Sequence, residues 1–435
     1  MREIDIIAKE LADECGGKTL QSSMNSDSNY IYPFGCGVID VPYGGGIHSG
    51  KIYEIFGEES HGKTTVALEM TKAMSNYFDS RGDNKYAVLW IESESALDRQ
   101  RALHIGCRLE KFIFEEAETV EDARDFMVKY LNRCIEKKLK LMIVWDTLAA
   151  ASTRNELTAV ISANDKEKYA AGMMEKPRLV SLMLRTLTNL LGKTDSTLVL
   201  VNQVRMKPGQ YVTTLEPPGG KGVRFHSSVR TYIKRQKYIY SILSNKENRL
   251  IAIESELQHI KNKLTSPYQT SKIIINTERG ISILDTIILF LKSIEGSPIK
   301  VKGGGYCTFS MPEGLPKREE GEIVLQGEIE ITFQRSDKIL QLKEMYPHIL
   351  DWLDYLIYNY YSNTTVLVKL SLIEKLWDYE EMFFGERKTV LTEEELSLYS
   401  SNSGKKIELP KSSSSKEEIK PKKEIKPKKK IKSKK

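Results

Sequence analysis

The sequence predicts an α/β fold. It reads as a mostly parallel, twisted sheet covered by helices on both faces, with a small α-rich C-terminal domain and a disordered basic tail. Three observations carry this reading. Apolar runs rich in β-branched residues recur between stretches of helical periodicity. A glycine-rich loop stands between one such run and the helix that follows it. The final segment is dominated by Lys, Ser, Pro and Glu and has too little apolar area to offset the entropy of ordering.

Residues 1 to 30 begin with Ile4, Ile7, Ala8 and Leu11 on one helical face, and a polar stretch from Gln21 to Asn29 reads as a linker. The core spans 31 to 295. Its predicted strands are Lys51 to Phe56, Tyr86 to Ile91, Leu141 to Trp145 and Thr197 to Val201, and its main helices are 64 to 78, 120 to 137 and 173 to 192. Near-continuous apolar strands alternating with helices mean a parallel sheet buried on both sides. After residue 229 the spacing shortens to hairpin-like strands, ending in Ser271 to Ile283. Residues 296 to 400 form the C-terminal domain, in which a Gly/Lys-rich insertion at 300 to 327 precedes an aromatic-rich helical stretch from 336. From 401 to 435 the chain is low in complexity, with Glu-Ile-Lys-Pro-Lys-Lys occurring at 418 and again at 424.

Composition excludes several classes. No apolar run reaches the roughly 18 residues that span a bilayer, and Met1 to Asp5 open no signal-type stretch. Five cysteines, odd in number and without a CxxC pair, argue against a disulfide framework or zinc site and for a reducing, cytoplasmic setting. The net charge of +6 is unevenly placed: residues 401 to 435 carry 14 Lys and 4 Glu, which leaves the rest at −4. Such a tail reads as a cationic arm for DNA phosphates. Its rival readings are a solubilising tail or, in a eukaryotic host, a nuclear address at Pro427 to Lys435.

The segment Gly57-Glu58-Glu59-Ser60-His61-Gly62-Lys63-Thr64-Thr65 fits GxxxxGK[ST] and sits between a predicted strand and a predicted helix. There the loop's backbone N–H groups can wrap phosphates, Lys63 can bridge the β- and γ-phosphates, and Thr64 can hold Mg²⁺. Ligands of open α/β sheets sit at the carboxyl ends of the strands. Those ends deliver Glu92 and Glu94, then Asp146, then Asn202 and Gln203. Asp146 suits a Mg²⁺ carboxylate, Glu94 the orientation of water, and Gln203 the sensing of a γ-phosphate. Each alone also fits a solvated strand end; together they converge on one loop.

Over residues 31 to 350 these features resemble the RecA recombinase family. The likeness lies in Gly57 to Thr65, in Glu94-Ser-Ala-Leu-Asp98, in Val201 to Lys207, in Gly219 to Arg230 and in Lys261-Asn-Lys263. It implies Glu94 as the water-activating base, Gln203 as an allosteric switch, and Asp98 and Arg101 at the adenine. It also implies Lys261 and Lys263, with Phe225 nearby, reaching the ATP of a neighbouring subunit. DNA contacts are implied at Arg178, Arg185, Arg205, Lys207 and Tyr211; Arg178 and Arg185 are seven apart and share a helix face.

Several features depart from the family's pattern. Arg101 stands where an aromatic residue usually stacks on adenine, and the first DNA loop, about 156 to 175, is longer than usual. The second loop, 206 to 218, carries Pro208, Pro217 and Pro218. The 300 to 327 segment has no counterpart, and the tail is basic where bacterial members often end acidic. These departures point to a divergent or viral member.

The expected function is a DNA-dependent ATPase that uses ATP and Mg²⁺, forms helical homo-oligomeric filaments on single-stranded DNA and exchanges strands with duplex DNA. The alternatives are a hexameric helicase or translocase on the same core, and a non-catalytic recombination mediator. Lys63, Thr64, Glu94 and Asp146 weigh against the mediator, and Gly219-Gly220 with Lys261-Asn-Lys263 weigh against the helicase.

Overall fold

A short antiparallel pair, β1 (Ile31–Tyr32) with β2 (Ile47–His48), encloses helix α1 (Gly37–Asp40) and leads into β3 (Ile52–Gly57). β3 is buried at every residue, as a strand covered on both faces must be. The computed structural model describes residues 30–94, 97–161, 166–206, 215–242, 248–295, 297, 299–301, 307–311, 316–319, 322–325, 329–333, 349–363, 366–384, 387–389, 391–392 and 395–397. The N-terminal helical segment expected at 1 to 30, Lys207, Tyr211 and the tail from 401 lie outside the described residues, apart from Tyr30.

After β3 come α2 (Lys63–Asp79), β4 (Tyr86–Glu92), α3 (Arg99–Ile105), β5 (Phe112–Glu116), α4 (Val120–Lys137) and β6 (Lys140–Asp146). There follow α5 (Arg154–Ile161), α6 (Lys166–Thr194), β7 (Thr197–Gln203), β8 (Arg205–Met206), β9 (Leu215–Glu216) and α7 (Gly220–His226). The core closes with β10 (Val229–Ile242), β11 (Asn248–Asn262), β12 (Thr270–Asn276), β13 (Gly280–Ile281) and α8 (Ile283–Lys292). Nine of these strands form one sheet in the order β13-β12-β11-β10-β3-β7-β6-β4-β5. From β10 to β5 all neighbours run parallel; β11, β12 and β13 add an antiparallel edge.

Alternation along the strands splits the core in two. Trp90, Val144, Val199 and Val201 face one way, onto α2 residues such as Val66, Leu68 and Met70. Leu89, Ile91, Ile143, Trp145, Leu198 and Leu200 face the other way, onto α4 and α6 residues such as Met127, Leu131, Leu184 and Leu187. Period-2 alternation inside strands buried on both sides produces this arrangement. The helix α4 starts where Thr119 accepts from the Asp122 N–H, an N-cap with two acidic residues in the first turn.

The sequence expected short hairpin strands after 229. Instead β10 and β11 run 14 and 15 residues. Only Val229 to Ile233 pair with β3; beyond Ile233 β10 and β11 outrun the parallel part of the sheet, with β12 still on the far side of β11 as far as Ala252. The loop expected at 156 to 175 is helical where described, as the end of α5 and the start of α6. β5 was not singled out, because an edge strand with half-exposed residues gives only a short apolar signal.

Beyond α8, β14 (Ile299–Val301), β15 (Cys307–Met311) and β18 (Ile329–Phe333) form a three-stranded antiparallel sheet, with β16 (Pro316–Glu319) and β17 (Glu322–Leu325) as a hairpin. Two helices follow, α9 (Ile349–Ser362) and α10 (Val366–Phe384). Residues of α9, among them Leu353, Ile357 and Tyr358, share one hydrophobic cluster with Val38 and Ile39. Asp354 Oδ1 accepts from the Gly37 N–H at 3.2 Å, and Asp354 Oδ2 accepts from Tyr379 Oη at 2.8 Å. A second unit begins at Leu391, where the Thr392 side chain and Glu395 cap one another. Cys36, Cys107, Cys134 and Cys307 are all buried free thiols, and no helix among the described residues is long and apolar enough to cross a membrane.

Candidate nucleotide-binding site

The site grows from the carboxyl end of β3. Gly57 ends the strand, the loop runs through Glu58, Glu59, Ser60 and His61, and Gly62 opens α2. Gly62 has φ +100°, and a Cβ there would lie 2.3 Å from Ile275 Cδ1, so only glycine fits. His61 is buried beneath the loop, with Nδ1 at 3.3 Å from the Ile233 carbonyl, and burial lowers its pKa.

Lys63 is nearly buried and folds back, its Nζ donating to the Glu58 carbonyl at 2.6 Å. Burial depresses its pKa, opposed by Asp146, Glu94, Glu59 and Glu58. Thr64 Oγ1 donates to Asp146 Oδ2 at 2.7 Å. β6 brings Asp146 there, buried, and desolvation pushes its carboxyl up to about 6. A hydroxyl and a carboxylate side by side beside a phosphate loop are hard oxygen donors. They fit Mg²⁺, which takes few protein ligands and completes its shell with phosphate oxygens and water.

The two candidate acids at the end of β4 separate. Glu92 is buried and committed: its Oε2 accepts from Trp90 Nε1 at 3.0 Å and its Oε1 from the Glu94 N–H at 3.2 Å. Glu94 is exposed, and Gln203 Nε2 donates to its Oε1 at 2.5 Å. Desolvation first, and then the charge of Glu92, raise its pKa. Gln203 is thus bound to Glu94 at the end of β7, with Asn202 Oδ1 accepting from its backbone N–H. On the far side of the loop, Asp98 caps α3 by accepting from the Gln100 and Arg101 N–H groups. Arg101 Nη2 donates to Thr65 Oγ1 at 2.8 Å. The chain therefore brings Lys63, Thr64, Thr65, Glu94, Arg101, Asp146 and Gln203 to one loop.

Lys261 and Lys263 lie elsewhere. Arg230 pairs with both Lys261 and Glu54, while Gly57 pairs with Ile233, so Lys261 sits three residues back from the loop along the sheet, about 10 Å. The Nζ groups of Lys261 and Lys263 donate to the Phe225 carbonyl at 3.0 and 3.3 Å, and Lys261 also donates to the Arg224 carbonyl. Lys263 stands 5.8 Å over the ring of Phe225, itself 72% exposed. Desolvation, and next the charge of Lys263, lower Lys261 to about 8.

Arg178 and Arg185 are both exposed on α6, and desolvation first, then the charge of Arg185, lower the pKa of His226 on α7. Gly222 of α7 packs on α6 so closely that a Cβ would meet Ser181 Cβ at 2.7 Å, which explains the Gly219-Gly-Lys-Gly spacing. Arg205 lies in β8, whose side chains are outside the described set.

Sequence reasoning passed over Glu54 and its pairing with Arg230, and named Asn202 only as a polar residue at a strand end. Glu54 is 1% exposed in the middle of β3. It accepts from Arg230 Nε on the neighbouring strand and from Asn202 Nδ2 at 3.1 Å; Asn202 Nδ2 also donates to the Pro218 carbonyl at 2.8 Å. A lone Glu inside a buried apolar strand was the available signal, since a buried carboxylate requires a partner. The trio ties the strand below the phosphate loop to the segment entering α7.

The family described as "RecA N-terminal domain" matches residues 6–282. The chain is similar to "Protein RecA" of Phytoplasma mali, 27% identical over 312 residues, which are 71% of this chain and 85% of that protein. It is also similar to "Protein RecA" of Acholeplasma laidlawii, 31% identical over 283 residues (64% and 78%), and of Petrotoga mobilis, 26% identical over 377 residues (86% and 91%).

Proposed function

The chain belongs to the RecA family, and from that membership together with the geometry we propose that it is a DNA-dependent ATPase that assembles as a helical filament on single-stranded DNA and exchanges strands with a homologous duplex. The observation that carries the reading is the separation of two cationic elements. Lys63 lies in the phosphate loop, whereas half-buried Lys261 and exposed Lys263 lie about 10 Å back from it along the sheet, a placement that supports their serving the nucleotide of a second copy of the chain.

On ATP binding, Lys63 leaves the Glu58 carbonyl for the β- and γ-phosphates, since a phosphate is the stronger acceptor for an ammonium. Thr64 and Asp146, already paired at 2.7 Å, would hold a Mg²⁺ ion, which when bound would supply positive charge against the phosphates. Gln203 redirects its Nε2 hydrogen bond from Glu94 to the γ-phosphate, which frees Glu94 to orient a water and take its proton. Because Gln203 ends β7, immediately before the strand that enters the second DNA loop, its movement couples phosphate occupancy to that loop. Arg178 and Arg185 contribute guanidiniums to the DNA backbone.

Electron microscopy of the full chain with ATP and single-stranded DNA tests the assignment. Helical filaments that dissolve when ATP is replaced by ADP are expected. Closed rings would make it a helicase-type motor, and DNA binding unaffected by nucleotide would make it a mediator.

A further inference from the structure

Arg101 reaches the phosphate loop from a separate element. It is held at the start of α3 by Asp98, which accepts from its backbone N–H at 3.2 Å, and by Ala102 and Ile105, which bury the helix. From there Nη2 donates to Thr65 Oγ1 at 2.8 Å. Thr65 is buried in the first turn of α2, one residue past the hydroxyl that pairs with Asp146. Arg101 Nε is shielded from solvent and has no hydrogen-bond partner. A guanidinium offers only donors, and a buried donor without an acceptor is a standing cost that a bound acceptor removes.

Two further considerations say what that acceptor is. The carboxylates of Asp146, Glu94, Glu59 and Glu58 all act on the charge of Lys63, so an arriving triphosphate meets one cation among several acids. A polyanion needs a second cation, and Arg101 is fixed against the same helix turn. The first turn of α2 is also where backbone N–H groups face phosphates. With Lys63 and Thr64 assigned to the β- and γ-phosphates and the cation between them, the phosphate left to face Thr65 is the α-phosphate.

We propose that Arg101 is a phosphate ligand: anchored beside Thr65, its guanidinium turns on nucleotide binding so that Nε, shielded in this structure, donates to the α-phosphate of the nucleoside triphosphate rather than the group lying flat on the base. This rests on the nucleotide-site reading given above. Its consequence is that affinity comes from charge. The base contributes little, and ATP and GTP bind comparably.

Calorimetric titration of the full chain with ATP, GTP and adenosine, at several salt concentrations, tests this. Arg101→Gln should weaken ATP and GTP alike, by roughly 10- to 100-fold, and flatten the salt dependence of both. Arg101→Lys should restore part of the loss, and Arg101→Tyr should not. The proposal is overturned if Arg101→Gln leaves affinity unchanged or weakens ATP far more than GTP. It is equally overturned if Arg101→Tyr tightens ATP and adenosine with the salt dependence intact, because the arginine is then a base platform. The wild-type chain gives a check that needs no variant: strong preference for ATP over GTP also overturns the proposal. Failure of the underlying reading looks different, as Lys63→Ala would then bind ATP like wild type.

Discussion

At the carboxyl end of β3, β6 and β7, the side chains of the candidate site are met by partners from the same chain: Lys63 by the Glu58 carbonyl, Thr64 by Asp146, Gln203 by Glu94. Around α7, by contrast, Lys261 and Lys263 give their hydrogen bonds to backbone carbonyls at the end of a seven-residue helix, beside a largely exposed Phe225. The first region is a closed set of charges, held in a resting arrangement that a nucleotide must open. The second is a set of cations without a carboxylate in hydrogen-bonding reach among those bonds. A local explanation exists for it, because cations near a helix C-terminus satisfy its last carbonyls and oppose its dipole. The contrast therefore sets capping a helix against serving a neighbour's nucleotide, and variants separate the two roles.

The largest effect belongs to the closed end. Lys63→Ala should abolish ATP-dependent assembly on DNA and ATP hydrolysis together, since no other ammonium lies inside the loop. Hydrolysis at the wild-type rate with DNA present would move the site elsewhere.

Next comes the open end. The double variant Lys261→Ala with Lys263→Ala should bind ATP as a monomer but lose DNA-stimulated hydrolysis by about 1,000-fold, the scale of a cation supplied in trans. If the pair only caps α7, the same variant loses about 0.3–1 kcal/mol of stability per lysine and hydrolyses ATP normally. Mixing it with Lys63→Ala protein asks the question again, because each supplies what the other lacks at alternate interfaces. Demonstrated co-assembly without any recovered hydrolysis would count against the trans arrangement.

A smaller effect is expected of Glu94→Gln, which keeps size and hydrogen bonding but removes the base. Hydrolysis should slow about 100-fold with ATP binding intact, so filaments persist on DNA. Rapid turnover would return the role to Glu92, although its two oxygens already hold Trp90 Nε1 and the Glu94 N–H.

The closed end was the more legible of the two. The phosphate loop is local: five residues of spacing, a preceding apolar run and a following helix suffice to place Lys63 and Thr64. Asp146, Glu94 and Gln203 were legible as polar residues ending apolar runs, because a parallel sheet gathers such ends together. Which of them touch was not legible. The Gln203–Glu94 bond joins residues 109 apart, and that between Arg101 and Thr65 joins residues 36 apart, so both depend on strand order and helix docking. The ion pair of Glu54 with Arg230 follows from the register of β3 with β10, which no local pattern specifies. The length of β10 and β11 escaped for a related reason: beyond the pairing with β3, β10 carries residues such as Lys234, Gln236, Lys237 and Tyr238, which blur the alternation that marks a half-buried strand. At the open end only the resemblance named Lys261 and Lys263, since a lysine pair on a strand has no distinctive spacing.

The finest distinction between the two ends is their response to pH. At the closed end Asp146 sits near about 6, so it is a carboxylate only above that range, and desolvation and then the charge of Glu92 raise Glu94 in the same direction. Hydrolysis should fall as pH drops through about 6, when Asp146 gains a proton and no longer suits a cation. At the open end the sign is reversed. Lys261 is lowered to about 8, so it is charged below that pH and neutral above it. A neighbour's phosphates favour the charged form, so assembly above pH 8 takes up a proton and weakens as pH rises, by at most about tenfold per pH unit for one group. DNA-stimulated kcat/KM measured from about pH 5 to 9.5 should therefore be bell-shaped, with its two limbs arising at opposite ends of the molecule. Lys261→Arg keeps the charge at every pH in that range, because a guanidinium does not lose its proton there. The acid limb should be unchanged in that variant and the alkaline limb should flatten. An alkaline limb that stays in place in Lys261→Arg would assign the loss to another group and remove Lys261 from the interface chemistry, leaving it as the cap of α7.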